Sequence, residues 1–230
     1  YVIGRGHLAL HEWDAAYAAL SRAAKLGYRD AELDYALGRV LGELYSRALS
    51  DARKSGDKTF FEKRKLELRA EYLQPALAYL SQSRRLTTIS TSYIEALIDF
   101  YEQRYDAALL NAHLSRRQEP WLYEAAKLEG DVFLSRALDQ RDHGDNEQAE
   151  RGFAQAIARY EQAAAIGHSD HQVHEAEAEA WTRWEEMETY GGRDPEPKFH
   201  RALAAADRAL EAAPLESYGH TKKAFAYFFL

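Results

Sequence analysis

Apolar residues recur along this chain at intervals of three and four, the spacing that gathers them on one face of a helix. Over 13–25 they fall at Trp13, Ala16, Tyr17, Leu20, Ala23 and Ala24, and Gly27 supplies the stop. From Ala31 the rhythm resumes through Leu33, Ala36, Leu37, Val40, Leu41, Leu44, Tyr45 and Ala48, and breaks near Ser55, Gly56 and Asp57. The stretch 60–80 reads as the return helix. A bend is expected at Pro75, because a proline inside a helix removes a hydrogen bond and crowds the turn before it. Three more pairs follow, 91–103 with 105–117, 121–141 with 146–166, and 171–190 with 197–213. The clearest breaks are His143-Gly144-Asp145, Gly167 to Asp170 and Gly191 to Pro195.

The pairs also repeat one another position by position. Second helices carry a large residue, an alanine, a packing residue, a small residue and a terminator: Trp13, Ala16, Leu20, Ala23, Tyr28; Tyr105, Ala108, Ala112, Ser115, Pro120; Phe153, Ala156, Tyr160, Ala163, His168; Phe199, Ala202, Ala206, Ala209, Pro214. First helices carry a small residue followed by a bulky one three positions later: Gly38 and Leu41, Gly130 and Phe133, Ala178 and Trp181, Ala224 and Tyr227. Two antiparallel helices approach closely only where side chains are small, and the bulky residue then fills the space toward the next pair.

This pattern resembles the tetratricopeptide family over essentially the whole chain. The resemblance implies an all-α fold, an α-α superhelix (right-handed solenoid) of tetratricopeptide-type hairpins, some with elongated helices. It would form a single array over 1–230, with repeats at 1–30, 31–88, 89–122, 123–170, 171–216 and a partial one at 217–230. The second, fourth and fifth repeats exceed the family period of about 34 residues by roughly 24, 14 and 12, so their hairpins should project, with charged tips. One tip would carry Arg53, Lys54, Lys58, Lys63, Arg64 and Lys65, another Arg136, Asp139, Arg141, Asp142 and Asp145. The chain departs from the family at His7 and Asp99, which fill usually apolar slots, and at Ala126, His174 and His220, which stand where a tryptophan is usual. The second pair matches only loosely, through Leu73, Ala76, Leu80 and Ser83. Helical rhythm already at Ile3, Leu8 and Leu10, and an apolar run over 224–230, lead us to expect a fragment of a larger protein.

Composition narrows the chemistry. A formal charge of -7 disfavours nucleic acid as a partner. The absence of cysteine removes disulfides, thiolate metal sites and cysteine nucleophiles, and fits a reducing, cytoplasmic address. No apolar run reaches the roughly 18 residues of a membrane-spanning helix. His168, His171 and His174, beside Asp170 and Glu175, are the one local candidate for zinc, set against a turn and a partly buried histidine. Carboxylates such as Glu185-Glu186 and Glu175, Glu177, Glu179 read as a solvated helix face rather than an acid/base pair. Gly4-Arg5-Gly6 reads as close helix packing. No catalytic residue, cofactor or metal is assigned, and this segment is expected not to be an enzyme.

Several phrases further resemble the carboxy-terminal tetratricopeptide region of bacterial serine/threonine protein kinases: "GYRDAELDYALGRVLGELYSRAL", "PALAYLSQSR", "FYEQRYDAAL", "EPWLYEAAKLEGDVF" and "GRDPEPKFHRALAAADRALEAAP". The resemblance implies a regulatory, protein-binding module of a multidomain signalling protein. The kinase itself is not in the segment, and Arg141-Asp142-His143-Gly144-Asp145-Asn146 only faintly mimics a catalytic loop. By the family's slots, a partner protein or peptide would lie on a concave groove lined by Tyr35, Arg39, Tyr93, Leu97, Phe100, Tyr101, Lys127, Asp131, Ser135, Glu175, Glu179 and Arg183. For Tyr93, Leu97 and Phe100, ordinary packing between repeats is the alternative. Lys127 alone occupies a slot of the family's carboxylate clamp, so a chaperone tail is not expected. A self-assembling scaffold is the alternative role, and the oligomeric state is open.

Overall fold

The structure, a computed structural model, describes residues 1–53, 56–215 and 217–230. Lys54, assigned to a basic hairpin tip, and Ser55, assigned to its break, lie outside the described residues. The chain is all-helical, with no strand among the described residues. Its contacts gather into two compact units, Tyr1–Arg104 and Tyr105–Leu230. The two helices expected to pair over 91–103 and 105–117 fall one in each unit.

Unit 1 holds α1 (Val2–Ala9), α2 (Trp13–Lys25), α3 (Ala31–Arg53), α4 (Lys58–Leu68), α5 (Gln74–Ser83) and α6 (Thr91–Tyr101). α1 packs on α2, and α3 packs along the rod that α4 and α5 make together. Pro75 does not simply bend that rod. A π turn, Arg69–Leu73, precedes it, with the Gln74 N–H reaching back to the Arg69 carbonyl. The wider turn is how the helix accommodates a residue that cannot donate. Trp13, Ala16, Leu20, Leu33, Ala36, Leu37 and Val40 form the core against which α1, α2 and α3 close.

Unit 2 holds α7 (Tyr105–Gln118), α8 (Tyr123–Asp142), α9 (Asn146–Ala164), α10 (His171–Tyr190), α11 (Glu196–Ala212) and α12 (Ser217–Phe229). α8 pairs with α9 and α10 with α11, while α7 lies on α8 and α12 on α10 and α11. Phe153, Ala156, Tyr160 and Ala163 of α9 are fully buried. At about 1.5–3 kcal/mol for each large side chain taken out of water, this face holds α9 in place. Trp121, expected to open a helix, stands outside α8 and is exposed. Ala224 and Tyr227, expected at a helix crossing, are also exposed; Gly219, Ala226 and Phe229 are the residues α12 buries among the described ones.

The small-residue rule is visible as size matching. A methyl group on Gly4 would lie 2.6 Å from Leu20, one on Gly38 2.7 Å from Leu80, and one on Gly130 2.6 Å from the Tyr160 ring. Where α10 has Ala178 instead, α11 answers with Ala205 and Ala206. The turns repeat as well. The N–H groups of Glu12, Arg104, Asp145 and Arg193 return to the carbonyls of His7, Asp99, Gln140 and Glu188 at 2.9, 2.8, 2.9 and 2.9 Å. The residue before each donor is left-handed: His11 (φ 58°), Gln103 (φ 62°), Gly144 (φ 81°) and Gly192 (φ 67°). This is the Schellman closure that satisfies carbonyls at a helix end. The polar residues in apolar slots belong to it, since His7 contacts Glu12 and the Asp99 carboxylate meets Arg104 at 2.5 and 2.8 Å.

Candidate functional site

Of the residues expected on a groove, Tyr35, Arg39, Tyr93, Leu97, Phe100 and Tyr101 belong to unit 1. Arg39 sits inside a ring of phenols, donating to the Tyr35 hydroxyl at 3.1 Å and the Tyr93 hydroxyl at 3.4 Å. Tyr101 donates to Glu43 at 3.1 Å. Its ring occupies the space that a side chain at Gly42 would take, so the Tyr101 ring is seated directly on α3. Burial works to lower the Arg39 guanidinium, but Tyr93, Tyr35, Tyr101 and Glu43 hold it well above its ordinary value. Burial, then Glu43, pushes the Tyr101 phenol well up. Arg39 is therefore a fixed cation beside a Tyr101 phenol that stays neutral at ordinary pH. Tyr93, Leu97 and Tyr101 are buried, which corrects their placement on an open groove. Ring packing on α3 uses the surface a partner would need.

The other six, Lys127, Asp131, Ser135, Glu175, Glu179 and Arg183, lie in unit 2 on the first helices α8 and α10, and each is partly exposed. On α8, Lys127 pairs with Asp131 at 2.9 Å, Tyr160 donates to Asp131 at 2.9 Å, and the Ser135 hydroxyl donates to the Asp131 carbonyl at 2.8 Å. On α10, Arg183 bridges Glu179 at 2.7 Å and Glu186 at 3.1 Å. Two pairs tie neighbouring first helices together: Arg141 of α8 to Glu186 of α10 at 2.9 Å, and Lys222 of α12 to Glu179 of α10 at 2.6 Å. Burial works to raise the Glu179 carboxyl, yet Lys222 and Arg183 pull it down to about 2. The result is a row of alternating charges running across α8, α10 and α12, its side chains held by one another. Such a row presents shape and oriented donors and acceptors rather than a net field.

Three chemistries considered from the sequence resolve into structure. His174 is buried with Nε2 3.0 Å from the His168 carbonyl, and Asp170 caps α10 by accepting from the Gln172 N–H at 2.9 Å. No group of three or more His, Asp or Glu that could hold a metal occurs among the described residues. The kinase-like phrase is the α8–α9 turn, where Gly144 takes the left-handed position and Asp145 caps α9 through the Gln148 N–H at 3.2 Å. Among the carboxylates, Glu177 and Glu185 are buried and not on a solvated face. Glu177 meets Arg208 at 2.7 Å. Glu185 has no hydrogen-bond partner on either oxygen among the described residues, and burial alone pushes it up to about 7.

Helical spacing could have added Glu186, one turn beyond Arg183. Lys222, Arg141 and Tyr160 gave no such signal, because the carboxylate each one meets is carried by a different helix. No helix among the described residues is long and apolar enough to cross a membrane. No protein-family model matches this chain, and no curated protein matches it.

Proposed function

We propose that the chain is a protein-docking and regulatory module of tetratricopeptide type, its hairpins stacking as an α-α superhelix, and a non-catalytic part of a larger cytoplasmic signalling protein such as a bacterial serine/threonine kinase. The observation that carries this reading is the linkage of α8, α10 and α12 through Arg141–Glu186 and Lys222–Glu179. It sets successive first helices side by side, with α9 and α11 packed on them as second helices. A stack of hairpins offers one face in this way, and polar side chains already held in position lose little freedom when a partner arrives. The partner, a protein or peptide, lies across Lys127, Asp131, Ser135, Glu175, Glu179 and Arg183.

The test is affinity capture from the organism that encodes the protein, with wild-type chain beside Lys127→Glu and Ser135→Trp variants whose circular-dichroism melts match it. A defined partner retained by wild type and lost by both variants is expected. A partner held equally by all three would overturn the assignment to this face. The exposure of Phe225, Tyr227 and Phe228 on α12, at 46, 61 and 75%, favours a second reading as a self-assembling scaffold. Sedimentation equilibrium separates the two, since assembly through α12 is abolished by Phe228→Glu whereas docking is not.

A further inference from the structure

Away from the polar row, unit 2 contains a cavity of about 390 Å³ where the end of α7, the start of α8 and the end of α9 meet. Pro120, Leu122, Tyr123 and Ile166 give it apolar walls, and Arg116, Arg117 and Gln162 give it a polar rim. The rim is electrostatically one-sided. Glu129, buried behind it, faces Arg159 at 2.6 Å, Arg116 at 3.4 Å and His113 at 3.7 Å, so a single carboxylate is shared by two guanidinium groups and an imidazole. Arg117 is exposed, and no carboxylate pairs with it among the described residues. The Gln162 carbonyl accepts from Arg116 at 2.9 Å and Arg159 at 3.0 Å, which leaves its NH₂ as a further donor. α8 begins here without a side-chain cap on Leu122, adding the positive end of a helix dipole.

We infer that this cavity is a docking subsite for an acidic peptide segment of a partner protein, one bulky apolar side chain entering the walls and flanking carboxylates meeting Arg116 and Arg117. The inference rests on the docking role proposed above but uses a different face. Charge complementarity selects the occupant. In a chain of net charge -7, an apolar hollow whose rim carries Arg117, with no carboxylate paired to it among the described residues, and Arg116, which has to share Glu129 with Arg159, favours carboxylates over neutral or basic segments. The positive groups are spread over α7 and α9 rather than gathered at a point, which suits several side-chain carboxylates along a segment better than one chain terminus.

The test is fluorescence anisotropy with a short, labelled, amidated peptide in which a leucine–phenylalanine pair is flanked on both sides by glutamates. Arg117→Glu and Ile166→Asp are both surface changes and should each weaken binding by at least about tenfold, and added salt should weaken it further. Lys127→Glu, on the polar row, should leave it unchanged. Equal binding of the same peptide with glutamines in place of glutamates would overturn the acidic assignment. Absence of saturable binding, or self-association of the chain through Arg117, would overturn the subsite. Binding that is lost with Lys127→Glu but survives Arg117→Glu and Ile166→Asp would overturn this subsite while leaving the docking role standing.

Discussion

Glu185 should make the stability of unit 2 fall as pH rises through the neutral range. The side chain follows Ala178 by two turns and Trp181 by one, on the face of α10 that meets α11. It is fully buried, with neither oxygen hydrogen-bonded among the described residues. A carboxyl whose value rises from 4.5 when unfolded to about 7 when folded binds more protons in the native state between those limits. Stability is therefore fully present below about 4.5 and is lost progressively as pH rises to and beyond 7. At about 1.4 kcal/mol per pH unit, the loss is on the order of 3 kcal/mol by pH 8. Glu185→Gln keeps the volume and removes the charge. Urea unfolding followed by tryptophan fluorescence reports on this region, because Trp181 and Trp184 stack 5.7 Å apart on the same helix. The gain of the variant over wild type should be small in acid and grow by about 3 kcal/mol toward pH 8. A difference that stays constant with pH would refute the reasoning.

Three other outcomes follow from the packing and the turns. Gln103→Gly, at a left-handed turn position, should raise the urea midpoint by an amount equivalent to about 1 kcal/mol, and Gly144→Ala should lower it by a similar amount; no change in either would remove the turn argument. Gly130→Ala should cost about 1–3 kcal/mol in thermal unfolding by crowding Tyr160, and adding Tyr160→Leu should recover part of it, whereas purely additive losses would speak against the crossing. Arg159→Met should cost about 2 kcal/mol by leaving buried Glu129 less compensated, and pairing it with Glu129→Leu should restore stability toward wild type; a double variant worse than the sum would contradict the electrostatic account.

The sequence alone determined that the chain is helical, where most helices begin and end, and that Gly38 and Gly130 allow close approach, but not that Gly42 does or that Gly6 faces open space. Apolar spacing and helix stops are local properties, and they are readable wherever a residue acts through neighbours a turn or two away. The four helix ends that close this way were only partly legible, because His11 and Gln103 take the left-handed position that Gly144 and Gly192 advertise. Tertiary structure decided everything that depends on a second helix. It buried Tyr93, Leu97 and Tyr101 while leaving Lys127, Asp131 and Ser135 partly exposed, although helical slots treat all six alike. It brought Lys222 to Glu179, closed Glu185 away from water, and set one carboxylate, Glu129, among Arg116, Arg159 and His113. Burial and charge pairing arise between segments distant in sequence, so their signs are set by packing and not by the spacing of residues along any one helix.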